Sequence, residues 1–328
     1  MNTSILSADE ILAKINGRLG EVGAGRKPDT LYAPIRYVLS LGGKRVRPSL
    51  LLMAHNLFSD DVEKALPAAC GIETYHNYTL LHDDLMDNAD MRRGHATVHR
   101  KWDANTAILS GDSMLCMAYG LMGECGPGKL AEVMRLFTAT ALEIGEGQQM
   151  DMDFEKRNDV AEEEYIEMIR LKTSVLIACA TEVGALLAGA GEEDRRNLYA
   201  FGEKLGLAFQ LQDDYLDVYG DPKVFGKEIG GDICCNKKTY MLIKAMETAS
   251  PAQRLMIGGW LAKKEFDRSE KVAAITQVYD ELGIGRMAEE RISMHFAEAR
   301  SYIDSVDVPE ERKTVIKQYA ESMAHRKF

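Results

Sequence analysis

Only 8 prolines interrupt the 328 residues, and between them apolar side chains recur at three- and four-residue spacing with charges filling the gaps. That is the pattern of amphipathic or buried helices, and no convincing run of alternating strand character accompanies it. The periodicity predicts helices over 8–20, 28–40, 47–58, 62–88, 104–121, 129–156, 161–189, 193–219 and 237–248, with further helices to the end. Punctuation falls at GGKRVRP (42–48), at RRG (92–94), at GECGPG (123–128) and in the glycine-rich stretch from Gly220 to Gly231. None of these resembles an interdomain linker, and there is no fixed-period repeat. The expectation is therefore one all-α domain over 1–328, with any site in the interior of a helical bundle.

At 46% apolar content the chain can bury a substantial core. Its net charge of −11 argues against a general nucleic-acid or anionic-membrane binder, because such surfaces need a basic excess. Cys70, Cys116, Cys125, Cys179, Cys234 and Cys235 show no CxxC pair and no regular framework, so they read as free thiols in a reducing cytoplasm. The first twenty residues lack a basic segment followed by an apolar run, and the most apolar later stretch, 175–190, is broken by Glu182. Neither secretion nor a membrane span is expected.

The strongest local signal is DDLMD, at Asp83, Asp84 and Asp87, late in a strongly helical segment. Residues four apart share a helix face, so Asp83 and Asp87 can direct two carboxylates at one point, while Asp84 is turned by roughly 100 degrees and supports from the side. Magnesium is held in this way, by one or two carboxylates together with substrate phosphate oxygens. A single such cluster in an acidic protein reads equally well as a solvated helix face. Here, however, Tyr78, Leu80, Leu81, Leu85 and Met86 crowd the acids, and a second cluster of the same form, DDYLD at Asp213, Asp214 and Asp217, ends another apolar helix. Facing each other across a bundle, two such clusters would form a polynuclear metal site that grips a diphosphate and stabilises its departure from an allylic carbon.

Joining two diphosphates needs a second anion site, and GGKRVRP supplies Lys44, Arg45 and Arg47 beside flexible glycines. Arg92, Arg93 and Gly94 follow the first acidic cluster by five residues. Lys172 and Thr173 stand in an apolar helix, Gln210 stands one turn before the second cluster, and Lys227 and Lys237 flank the glycine-rich loop. Taken singly, each reads as well as a surface or helix-capping group.

As an ordered set, GGKRVRP, HNYTLLHDDLMD with its RRG, the KT pair, QLQDDYLD and GKEIGGDICCNK resemble the trans-isoprenyl diphosphate synthases (the polyprenyl synthetase family) over roughly residues 42–240. The resemblance is to the short-chain farnesyl and geranylgeranyl type. It implies the all-α isoprenoid synthase fold, a homodimer, and head-to-tail addition of isopentenyl diphosphate to an allylic diphosphate through ionisation, condensation and deprotonation. By the same resemblance, Lys44, Arg47, His76 and Arg93 bind isopentenyl diphosphate, and Arg92, Lys172, Thr173, Gln210, Lys227 and Lys237 bind the allylic diphosphate. Asp83, Asp87 and Asp213 become the direct ligands of magnesium, three ions with bound diphosphate, and Asp84, Asp214 and Asp217 support metal or water. Thr173 and Gln210 flank the carbocation, and released pyrophosphate takes the proton. His76 has a competing reading as a core histidine bonded to a backbone carbonyl, and His82 reads as structural.

A growing chain should run down the helix from the first aspartates, so Tyr78 and Thr79, about 6 Å earlier along its axis, would meet the tail. One aromatic followed by a small residue points to a C15 or C20 product, although core packing alone could explain Tyr78. Two rivals remain. A terpene cyclase of the same fold would be expected to replace the second DDxxD, and a non-catalytic subunit to lose a cluster or its cations.

Overall fold

The computed structural model of the chain describes residues 5–221 and 229–324. In chain order its helices are α1 (Ala8–Leu19), α2 (Asp29–Ser40), α3 (Val46–Asn56), α4 (Leu66–Met86), α5 (Val98–Lys101), α6 (Ala104–Met122), α7 (Pro127–Phe154), α8 (Glu162–Ile169), α9 (Val175–Ala188) and α10 (Glu192–Tyr219). They continue as α11 (Gly231–Cys234), α12 (Tyr240–Thr248), α13 (Pro251–Ala262), α14 (Arg268–Leu282), α15 (Ile284–Asp304) and α16 (Glu310–Ala324). Among the described residues the only strands are β1 (Met91–Arg92) and β2 (His95–Ala96), an antiparallel hairpin pairing Met91 with Ala96 and Arg92 with His95.

The helices expected at 8–20, 104–121 and 193–219 stand within a residue or so of those bounds. Three differ for identifiable reasons. The 62–88 segment is a short 3₁₀ turn, Val62–Lys64, followed by α4, which begins at a proline-bearing first turn. The 161–189 segment is interrupted by a π turn, Arg170–Ser174, between α8 and α9. The 237–248 segment begins only at Tyr240, after Thr239 with extended backbone.

The described residues fall into two compact units, one drawn from 5–139, 176–199 and 304–319, the other from 140–175, 200–221, 229–303 and 320–324. In the first, a capping box between Ser7 and Glu10 starts α1, which turns Ile11, Ile15 and Leu19 inward. Helix α3 is buried continuously from Pro48 to Asn56, and α4 along most of Leu66–Asn77, so both are core helices rather than surface ones. Glycine allows the close crossings. A Cβ on Gly71 would stand 3.1 Å from the Ala118 carbonyl of α6, and one on Gly184 of α9 would collide with the Leu51 carbonyl of α3.

In the second unit, the core gathers Tyr165, Met168 and Ile169 of α8, Leu207, Leu211 and Val218 of α10, and apolar residues of α12 to α15 such as Met241, Ile257, Val278 and Ile284. Gly147 of α7 and Gly206 of α10 both press on the π turn. A Cβ at Gly147 would stand 2.8 Å from Leu171, and one at Gly206 would stand 2.6 Å from the Ser174 Cα. The continuous helical stretch Glu162–Ala188 is, among the described residues, the one that is long and apolar enough to cross a membrane, and 72% of its most apolar window is buried inside the protein.

Candidate active site

Helix α4 ends at the first acidic cluster, where Asp87 caps it and its N–H bonds the Asp83 carbonyl at 2.8 Å. Carboxylates at a helix C-terminus add to the negative end of the dipole, so the position favours a cation. The three acids are not equivalent. Asp84 is buried, 4% exposed, and its two carboxylate oxygens each accept from Arg92 Nε at 2.8 Å, while Asp83 is half-buried and Asp87 exposed.

Arg92 reaches Asp84 because the hairpin turns immediately after it. Arg93 at φ 51° and Gly94 at φ 76° occupy the two turn positions, both in the left-handed region that a two-residue hairpin loop demands. Arg93 then donates from Nη1 to the Gly42 carbonyl. Gly43, at φ 126°, holds a backbone conformation that would strain any side chain, and a Cβ there would also displace the Arg93 guanidinium 2.9 Å away.

Arg47 Nη1 lies 3.1 Å from His76 Nε2. A guanidinium only donates, so Nε2 accepts and the ring proton sits on Nδ1. Burial holds His76 well below the usual histidine range, and the positive charges of Arg47 and Arg93 add to this, so the ring is neutral. Burial likewise lowers Arg93. Arg47, His76 and Arg93 are thus brought to one place, with exposed Lys44 on the adjoining loop. Such a grouping offers an anion positive charge and guanidinium N–H donors.

Tyr78 meets His82 edge to face, 4.8 Å between ring centroids, and His82 Nε2 lies 3.2 Å from the Ile108 carbonyl. On its other side Tyr75 lies at 5.4 Å and continues to Phe137 at 5.2 Å. Thr79 folds its hydroxyl onto the His76 carbonyl at 2.8 Å, leaving only its methyl group as apolar bulk.

The second unit repeats the unequal division of acids on α10. Asp214, 4% exposed, accepts from the Tyr165 hydroxyl, from Gln210 Nε2 at 3.2 Å and from the Tyr240 N–H at 3.4 Å. Burial pushes its carboxyl up to about 7, with the neighbouring charge of Asp232 adding to the effect. Asp217, 8% exposed, accepts from the Asp232 N–H at 2.9 Å. Asp213 is the half-buried member.

Lys172 and Thr173 lie in the π turn, where an extra residue per turn re-aims side chains that a regular helix would direct elsewhere. Lys172 Nζ donates to Asp151 at 2.5 Å, and Thr173 donates to Gln210 Oε1 at 3.2 Å. Lys237 is exposed, and its N–H bonds the Asp232 carbonyl at 2.9 Å. Lys227 lies outside the described residues. Asp151, Tyr165 and Asp232 did not emerge from the sequence. Only Asp232, directly after the glycine-rich run, offered a local signal.

The donor chemistry fits magnesium, since both clusters offer hard carboxylate oxygens. Among the described residues no three His, Cys, Asp or Glu side chains gather closely enough to hold a metal by themselves. Substrate oxygens would have to complete its coordination.

This architecture is the all-α isoprenoid synthase fold. A crystal structure of a geranylgeranyl pyrophosphate synthase matches it with a TM-score of 0.94 and 40% identity, covering 98% of this chain and 100% of that one. Another, of the geranylgeranyl pyrophosphate synthase from Corynebacterium glutamicum complexed with isoprenyl diphosphate and magnesium, matches with a TM-score of 0.87 and 28% identity, covering 98% and 100%. Residues 28–281 match the family described as Polyprenyl synthetase, and the chain belongs to that family. The geranylgeranyl diphosphate synthase of Methanosarcina mazei is 37% identical over 317 residues, 96% of this chain and 95% of that protein. The chain is accordingly a trans-prenyltransferase.

Proposed function

We propose that the enzyme adds isopentenyl diphosphate head-to-tail to an allylic diphosphate and releases a C15 to C20 diphosphate, chiefly C20. The observation that carries this reading is the shared pattern of the two acidic clusters. In each, the second aspartate is buried and held by the protein, Asp84 by Arg92 and Asp214 by Tyr165 and Gln210, while the first is half-buried. Asp83, Asp87 and Asp213 are the magnesium ligands, three ions serving one diphosphate. Asp84, Asp214 and Asp217 hold the helix ends that present them. Bound magnesium supplies positive charge to the leaving diphosphate.

Lys44, Arg47, neutral His76 and Arg93 seat isopentenyl diphosphate. Arg92, Lys172, Lys227 and Lys237 hold the allylic diphosphate, with Thr173 and Gln210 turning their dipoles towards the carbocation left when the allylic C–O bond breaks. The alkene attacks that carbon, and the released pyrophosphate removes the proton. Tyr78, backed by Tyr75 and Phe137, sets the floor for the tail, and small Thr79 leaves room for a chain beyond C10.

The terpene-cyclase and non-catalytic readings are not favoured, because both acidic clusters and their cations are retained. The enzyme is a cytoplasmic homodimer, in keeping with its free cysteines and with Ile108 and Leu109 exposed on α6. Glu162–Ala188 is a core helix rather than a membrane span, in keeping with its burial. The test is incubation with Mg²⁺, isopentenyl diphosphate and dimethylallyl, geranyl or farnesyl diphosphate, with products identified by mass spectrometry. A C20 diphosphate that vanishes on chelation is expected; hydrocarbon or no product would contradict the reading.

A further inference from the structure

Three positions in the segment before α3, Gly42, Gly43 and Arg45, take positive φ, and Arg45 does so at 48° as a non-glycine residue. Such a conformation persists only where the surroundings over-determine it. Here they do. Arg45 Nη1 lies 2.7 Å from Glu73 Oε1, Nη2 donates to the Leu39 carbonyl at 2.6 Å and Nε donates to Asn16 Oδ1 at 3.3 Å. Glu73 also accepts from Asn77 Nδ2 at 3.0 Å, and the side chains of the ion pair are only 4% and 2% exposed. Arg45 itself is 5% exposed, with its guanidinium engaged inside the protein and out of reach of a substrate.

We propose that the Arg45–Glu73 pair is a positioning device for the isopentenyl diphosphate site. Glu73 stands one turn before His76 on α4, and Arg45 is the N-cap residue of α3, between Lys44 and Arg47. The pair therefore ties Lys44 on the loop and Arg47 in the first turn of α3 to the helix bearing His76. A loop of glycines with positive φ has no rigidity of its own, so the placing of Lys44 and of the start of α3, with Arg47, against His76 depends on this tether. The inference rests on the substrate assignment proposed above.

The test is steady-state kinetics of the full-length enzyme with magnesium, each substrate varied in turn. Glu73→Gln removes the charge. Arg45→Gly/Glu73→Gln keeps the left-handed turn at no steric cost and leaves no buried charge, so it decides the matter if the single variant does not fold. In the folded variants KM for isopentenyl diphosphate should rise about tenfold, while KM for the allylic substrate stays within about twofold. A folded double variant with wild-type KM, or with equal losses for both substrates, would overturn the inference. Arg47→Ala separates the two levels: if it leaves KM for isopentenyl diphosphate unchanged, the site assignment itself fails.

Discussion

Arg92 Nε lies 2.8 Å from both carboxylate oxygens of Asp84, so the middle member of the first acidic cluster is held by the protein rather than offered to a ligand. Arg92 is about one-third exposed and Asp84 is buried, which makes the pair asymmetric. Removing the arginine strands a carboxylate. Arg92→Ala should cost about 2–3 kcal/mol of stability, read by chemical denaturation, and Arg92→Ala/Asp84→Ala should recover most of it while turnover stays low. A double variant no more stable than the single one would show that the pair contributes little.

The π turn that carries Lys172 and Thr173 is pressed from both sides by glycine. Gly147→Ala and Gly206→Ala each place a methyl group against its backbone. Each should destabilise by about 1–3 kcal/mol and lower turnover as the turn shifts, measured by denaturation and a product assay.

Tyr78→Ala should lengthen the product, because removing the ring opens the space above Tyr75. Thr79→Phe should shorten it by filling the adjacent position. Mass spectrometry with excess allylic primer reads both outcomes, and an unchanged product from Tyr78→Ala would remove Tyr78 from the floor.

Stability should also depend on pH through His55. It is 1% exposed, neither ring nitrogen has a partner among the described residues, and burial lowers its pKa to about 4. Below about pH 6.5 the unfolded chain takes up a proton that the folded chain refuses, so stability falls as pH drops from 6.5 towards 4 and is fully retained above that window. Between pH 7 and 4.5 the wild type should lose about 2 kcal/mol more than His55→Leu. Equal losses would place the titration elsewhere.

Much of this was legible in the chain. Apolar periodicity located α1, α6 and α10 closely, and the paired DDxxD clusters marked both acidic helix ends. The π turn was not, because one extra residue barely disturbs a three-to-four spacing in a segment apolar on every side. The 3₁₀ turn at Val62–Lys64 escaped for a related reason, since a short tighter turn carries the same alternation of apolar and charged residues. Glu73 offered a clue, an acid amid the buried first half of α4, but its partner Arg45 lies 28 positions away and only the folded chain joins them. Tyr165 was hidden likewise, 49 positions from Asp214.

Turnover of Asp83→Ala and Asp213→Ala, assayed with labelled isopentenyl diphosphate across a magnesium titration, addresses most directly the claim that both acidic clusters serve one leaving diphosphate. Each variant should stay folded and lose a factor of about 10³ in kcat, as expected when charge stabilisation of a leaving group is removed. Wild-type turnover and magnesium dependence in either variant would contradict the claim.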